Sequence, residues 1–150
     1  MHHSEMKSGV RRLIAEGTVI PAHPLALTAS RALEATHQRA LTRYYIDAGA
    51  GGLAVGVHTT QFAIRDVGLY RPVLELAAET AAAWTRRPLA LVAGLVGPTG
   101  QAIAEAKIAL GIGYHAGLLS LAGMASASED EIIAHCAAVA DQSNRIAVRQ

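Results

Sequence analysis

The feature that most restricts how this chain can fold is an alternation between two kinds of apolar segment. The first kind is short and continuous: Thr18-Val19-Ile20, Gly52-Leu53-Ala54-Val55-Gly56-Val57, Leu89-Ala90-Leu91-Val92-Ala93 and Gly117-Leu118-Leu119-Ser120-Leu121. Runs of this length bounded by Gly or Pro read as strands buried on both faces, which is the mark of a parallel sheet. The second kind has helical spacing. Leu33, His37, Ala40, Leu41, Tyr44 and Ala48 share one face, with Gly49 as a stop; Leu69, Val73, Leu76, Ala77, Thr80 and Trp84 share another, closed by Pro88. A third stripe is Ala102, Ile103, Ala106, Ala109 and Leu110, ending at Gly111 and Gly113. The fourth is Ile132, Ile133, Cys136, Ala137 and Ala140, opened by the capping box Ser128-x-x-Glu131. The predicted order is β-α-β-α-β-α-β-α, with a fifth strand candidate at Ile146-Ala147-Val148. Residues 1–17 read as an N-terminal extension and lead-in, and residues 18–150 as one α/β unit.

Composition excludes several classes. A formal net charge of +1 over 150 residues leaves no basic excess to displace counterions, so no nucleic-acid partner is expected. The doublets Arg11-Arg12 and Arg86-Arg87 read as solvated faces. Cys136 is the single cysteine, which removes a disulfide framework and a cysteine-rich zinc site. The start is polar without a secretory apolar core, and no apolar run reaches the ~18 residues of a membrane span. A soluble, cytoplasmic protein with no membrane partner is the expectation.

The alternation suits either a doubly wound sheet or a closed (β/α)8 barrel. A dinucleotide-binding sheet carries Gly-x-Gly-x-x-Gly after its first strand; here Pro21-Ala22-His23-Pro24 follows instead. The segment Gly94-Leu95-Val96-Gly97-Pro98-Thr99-Gly100 lacks the Lys-Ser/Thr ending of a phosphate loop.

Ala48-Gly49-Ala50-Gly51-Gly52-Leu53-Ala54-Val55-Gly56 resembles the approach to the second strand in the dihydrodipicolinate synthase / N-acetylneuraminate lyase family. Pro88 through Gly94, then Thr99, Ala102-Ile103, Ala106, Ala109 and Gly113-Tyr114-His115-Ala116-Gly117-Leu118-Leu119, resemble its third strand, helix and fourth strand. The likeness runs in order over roughly residues 17–140. It implies the N-terminal half of a (β/α)8 TIM barrel, with about four βα units plus the fifth strand candidate. It also implies a lyase or synthase acting on pyruvate or a related 2-oxo acid through a lysine Schiff base.

In such barrels chemistry gathers at the C-terminal ends of the strands. Val57-His58-Thr59-Thr60-Gln61-Phe62 stands where the family carries Gly-Thr-Thr-Gly-Glu, whose threonine pair resembles a clamp for the substrate carboxylate. The pair falls on His58 and Thr59 without a gap, or on Thr59 and Thr60 with a one-residue slip. His58, Thr59, Thr60 and Gln61 are therefore the substrate-binding candidates. Adjacent hydroxyls and loop N–H groups suit a carboxylate because they offer several short donors; the plain alternative is a turn in which the threonines bond their own backbone. His23 is also at a strand end; His58 reads either as a packed, hydrogen-bonded histidine or as a group that orients substrate or shuttles a proton. A His23–His58 metal pair lacks the His-x-His spacing and a nearby carboxylate, so no metal site is assigned. His115 precedes the fourth strand and belongs at the opposite end. Tyr44 and Tyr45 read as helix packing, and Cys136 as a small buried hydrophobe.

No residue receives a catalytic assignment. The tyrosine that ends the family's fifth strand has no counterpart in Ile146-Ala147-Val148-Arg149-Gln150, and the Schiff-base lysine ends a sixth strand beyond these segments. Lys7 and Lys107 are the only lysines; one precedes the first strand and the other is on a helix outside the barrel. No cofactor is called for. Two readings follow: a family fragment cut before its nucleophile and inactive alone, or a non-catalytic half-barrel acting by assembly, as a homo-oligomer through exposed strand edges. A flavodoxin-like binding domain is a third.

Overall fold

A computed structural model describes residues 6–57 and 59–147, the side chains of residues 59–60 and 142–147 excepted. Three of the four apolar runs form parallel strands: β1 (Gly52–Val55), β2 (Ala90–Leu95) and β3 (Ala116–Leu119). They lie side by side in chain order, with Leu53 opposite Leu91 and Ala93 opposite Gly117. The run at Thr18-Val19-Ile20 is extended without becoming a regular strand. Val19 O accepts from Gly51 N (2.9 Å), Pro21 O from Ala54 N (2.9 Å), and His23 N donates to Ala54 O (2.8 Å), with one parallel bridge at Ala22. Pro21 has no N–H to offer, so the ladder along β1 stays incomplete.

This order corrects the flavodoxin-like alternative. A flavodoxin-like sheet has its first strand between the second and third, whereas here the first extended segment borders β1 and β1 borders β2. The fifth strand is corrected as well. Helix α5 (Glu129–Ala147) continues through Ile146 and Ala147, because no Gly or Pro interrupts the chain after Ser128 and alanine favours helix. Val148 lies outside the described residues.

Helices α2 (Ala35–Asp47), α3 (Tyr70–Trp84) and α4 (Thr99–Ile112) connect the strands, and each packs against the next along the chain. Gly113 ends α4 at φ +101°, the left-handed cap glycine accepts at little cost. The box at the start of α5 forms as read: Glu131 Oε2 accepts from Ser128 N (2.8 Å), and Ser128 Oγ from Glu131 N (3.3 Å). An additional helix, α1 (Ser8–Glu16), packs Val10 against the sheet end.

The core lies between the sheet and α2–α4, centred on Leu53, Val55, Leu74, Ala77, Ala93 and Tyr114; Leu95, Ala102, Ala106 and Val139 form a smaller cluster under α5. Two helical faces differ from the expected stripes. In α2 the buried residues are Gln38, Thr42 and Ile46, while Tyr44 is 66% exposed. Among the described side chains of α5 they are His135 and Val139, and Ile133 is 64% exposed. In both helices a polar side chain has displaced an apolar one from the inward face: Gln38 with its amide fully bonded, and His135 with Nδ1 on Thr99 Oγ1 and Nε2 without a partner among the described residues.

Candidate functional site

The C-terminal ends of the strands are held by two buried polar networks. The first joins the segment after Ala22 to α2. His23, Gln38 and Thr42 are buried, and their hydrogen bonds fix one another. Ala26 N donates to Gln38 Oε1 (2.7 Å), which makes the other amide atom the nitrogen. That Nε2 donates to Pro24 O (2.9 Å) and faces His23 Nδ1 at 2.8 Å, so Nδ1 accepts. The imidazole proton then resides on Nε2, which donates to Thr42 Oγ1 (2.9 Å); the Thr42 hydroxyl in turn donates to Gln38 O (3.0 Å). Burial holds the His23 pKa below its ordinary value, in keeping with a neutral ring. Both ring nitrogens are occupied. His23 is a packed, satisfied histidine.

The second network ties the exits of β1 and β2 to α4. Arg65 Nε and an η-nitrogen donate to the two oxygens of Glu105 at 2.8 and 3.0 Å. Arg65 also donates to Gly94 O (2.9 Å), where the Tyr70 hydroxyl donates at 2.8 Å. Val96 N and Gln101 Nε2 satisfy Glu105 further at 3.1 and 2.9 Å. The Arg65 guanidinium stacks 4.5 Å from the centre of the Tyr70 ring. Burial, reinforced by the Glu105 charge, pushes the Tyr70 pKa up, so its hydroxyl remains a donor.

Between these networks the chain leaves β1 and enters a 3-10 helix, Thr59–Ile64. Thr59 and Thr60 open it, and Gln61 Nε2 donates to His23 O (3.2 Å), joining it to the first network. Gln61 and His23 are thus brought together at neighbouring strand ends. His58 lies outside the described residues. Gly94 admits the exit of β1 close to its backbone: a Cβ there would contact Gly56 O, with Gly56 C at 2.6 Å and Val57 Cα at 2.9 Å. Ser120 Oγ accepts from Ala122 N (3.3 Å) in a local turn. His115 sits just before β3, where Nδ1 accepts from Leu91 N (3.0 Å). Tyr45 packs on the core, but Tyr44 does not. Cys136 is half-buried. Among the described residues no three His, Cys, Asp or Glu side chains gather as a metal-binding group, and no helix is long and apolar enough to cross a membrane.

Sequence reasoning missed Arg65 and Glu105. They are 40 residues apart, and each reads alone as a solvated charge; the only available signal is a charged residue within the alanine-rich inner face of α4.

Parallel strands in chain order, each followed by a helix, define an α/β fold of the kind that builds the N-terminal part of a (β/α)8 barrel. Solved structures match it. The chain superposes on dihydrodipicolinate synthase from Bacillus clausii with a TM-score of 0.75 at 14% identity, covering 88% of this chain and 44% of that one. N-acetylneuraminate lyase from Fusobacterium nucleatum gives 0.71 at 20% identity, covering 85% and 43%. A prophage protein of the dihydrodipicolinic acid synthase family from E. coli K12, solved in complex with pyruvate, gives 0.73 at 21%, covering 83% and 41%. The chain therefore has the fold of the N-terminal part of dihydrodipicolinate synthase and N-acetylneuraminate lyase structures, and spans less than half their length. No protein-family profile matches it, and no curated protein sequence does.

Proposed function

We propose that this chain carries the substrate-carboxylate half of a 2-oxo-acid Schiff-base site, of the lyase or synthase type. The observation that supports it best is the structural likeness to a pyruvate-bound relative, with a 3-10 helix beginning at Thr59 at the strand end where the sequence resembles the family's clamp. In this reading His58, Thr59, Thr60 and Gln61 receive the carboxylate. Gln61, anchored on His23 O, sets the position of the turn, and Arg65 and Glu105 hold its far end to β2. A Schiff-base reaction needs a neutral lysine amine to add to the keto carbon and expel water, leaving an iminium that accepts the electron pair of the breaking or forming bond. Lys107 is exposed on α4 and Lys7 precedes α1, so neither is at a strand exit. The 150 residues alone are inactive in this reading.

Two measurements test it. Pyruvate should produce saturable amide shifts at residues 59–61 and His23; their absence would remove the carboxylate assignment. Pyruvate with borohydride should leave the mass of this chain unchanged, and a stable reduced adduct would show that a nucleophile is present after all.

Assembly is a second reading, favoured by β3. Its outward edge has no strand partner among the described residues, and Leu118 is 56% exposed. Unpaired edges with apolar side chains invite pairing. Size-exclusion should show a dimer or larger species; a monomer that unfolds cooperatively would remove this reading.

A further inference from the structure

A cavity of about 610 Å³ opens at the end of the sheet opposite the candidate site, between α1 and the C-terminal turns of α3 and α4. Its ionisable lining has one sign: Lys7, Arg86, Arg87 and His115, with no carboxylate. Among the described residues Lys7, Arg86 and Arg87 form no ion pair, since the pairs that form involve Arg12, His37, Arg39, Arg65 and Arg71. Arg87 is steadied by donating to Ile46 O (2.6 Å), and Arg86 by donating to Ala82 O (3.3 Å). His115 accepts at Nδ1 from Leu91 N, which leaves the proton of its neutral ring on Nε2 as a further donor. Apart from Thr85, whose hydroxyl oxygen accepts from Arg87 N, the remaining side chains of the wall are apolar, including Ala81, Leu91 and Ile112.

We infer that this cavity is a binding site for a phosphomonoester with a compact apolar body. Lys7, Arg86 and Arg87 have no carboxylate partner there. Their three full charges exceed the partial negative charge of the α2 and α3 C-terminal carbonyls that Arg87 and Arg86 cap, and with the His115 N–H they favour a dianion over a monoanion. The apolar wall accepts the remainder of the ligand, and the volume falls in the range of small-molecule sites, about 300–1,000 Å³. The site is separate from the proposed carboxylate site: it faces the N-terminal ends of β2 and β3, and neither site needs the other.

The test is an amide-resolved NMR titration of the full chain with 1-naphthyl phosphate, inorganic phosphate and 1-naphthalenesulfonate. Naphthyl phosphate should shift Gly9, Gly113 and His115 saturably and leave Gln61 unmoved. Inorganic phosphate should shift the same amides more weakly, and the sulfonate, a monoanion with the same body, should bind less tightly than the phosphate ester. A Lys7→Glu/Arg86→Glu double variant should weaken the ester by about tenfold or more, and Lys7→Met/Arg86→Met by less, in folds verified by unchanged spectra elsewhere. Added salt should weaken binding to the unmodified chain. No saturable shift at Gly9, Gly113 and His115, equal affinity for ester and sulfonate, or indifference to salt would overturn the inference.

Discussion

Arg65 and Glu105 face each other through two parallel N–H···O bonds in the interior, with side chains only 8% and 6% exposed. Such a pair is far from a surface salt bridge in its energetics. Desolvation opposes it, while the fork geometry and the bonds to Gly94 O, Val96 N and Gln101 offset that cost. Glu105→Leu alone should therefore destabilise by about 3–5 kcal/mol, because it leaves a buried guanidinium unpaired. Adding Arg65→Met should recover part of the loss. Urea unfolding of both single variants and the double variant measures the coupling; a double variant as costly as the sum of the singles would show none.

The His23 ring should be found as the Nε2–H tautomer, with ¹⁵N shifts showing an unprotonated Nδ1. An Nδ1–H tautomer donating to Pro24 O, which is 2.9 Å away, would contradict the orientation derived for Gln38.

The same ring sets a pH dependence. Its folded pKa lies below the ordinary 6.5, so between those two values the unfolded chain binds more protons. Stability is then complete above about pH 6.5 and falls as the pH drops below it, by at most ~1.4 kcal/mol per pH unit for this group. His115 acts in the same direction, through burial and then the nearby Lys7 charge. Denaturation curves between pH 7.5 and 5.5 should show the loss, and His23→Gln should reduce it to the share of His115.

Two glycines should respond oppositely to alanine. At position 94 the added methyl meets the backbone of Gly56 and Val57, which cannot rotate away, so Gly94→Ala should lower the midpoint of thermal unfolding. At position 100, inside α4, nothing stands within 4 Å. Gly100→Ala should raise stability by about 0.4–1 kcal/mol by restricting the unfolded chain.

Ser128→Ala removes the side-chain half of the α5 box and should cost about 1 kcal/mol, read from the same unfolding curves. A neutral result would mean that α5 starts elsewhere in solution.

What was legible in the sequence depended on local pattern. Apolar runs bounded by Gly or Pro gave β1, β2 and β3 within a few residues; β1 and β2 are buried as such runs predict, whereas β3, at the sheet edge, is only partly covered, with Leu118 56% exposed. The Ser128–Glu131 spacing located the start of α5. Val10, Leu13 and Ile14 already had helical spacing for α1, but Arg11 and Arg12 between them suggested a solvated lead-in. The inward faces of α2 and α5 were misplaced for one shared reason. Gln38 and His135 are buried with partners distant in sequence, His23 and Thr99, although His135 Nε2 has no partner among the described residues; hydropathy alone cannot rank such polar groups as interior. The same limit hid Arg65 and Glu105. At the candidate site, the chain placed Gln61 at a strand exit but gave no sign that its amide would seat on His23 O.

The orientation of Gln38 has a consequence for how the chain can drift. Its amide is read on one side by Ala26 N and on the other by His23 Nδ1, so neither position 23 nor position 38 is free to change alone. An apolar residue at 23 removes one of the two acceptors of the amide nitrogen, and an apolar residue at 38 leaves His23 Nδ1, Ala26 N and Pro24 O without the bonds Gln38 gives them. Descendants of this sequence should vary the two sites as a correlated pair, and any replacement at 38 should keep a group that accepts from Ala26 N and donates to Pro24 O.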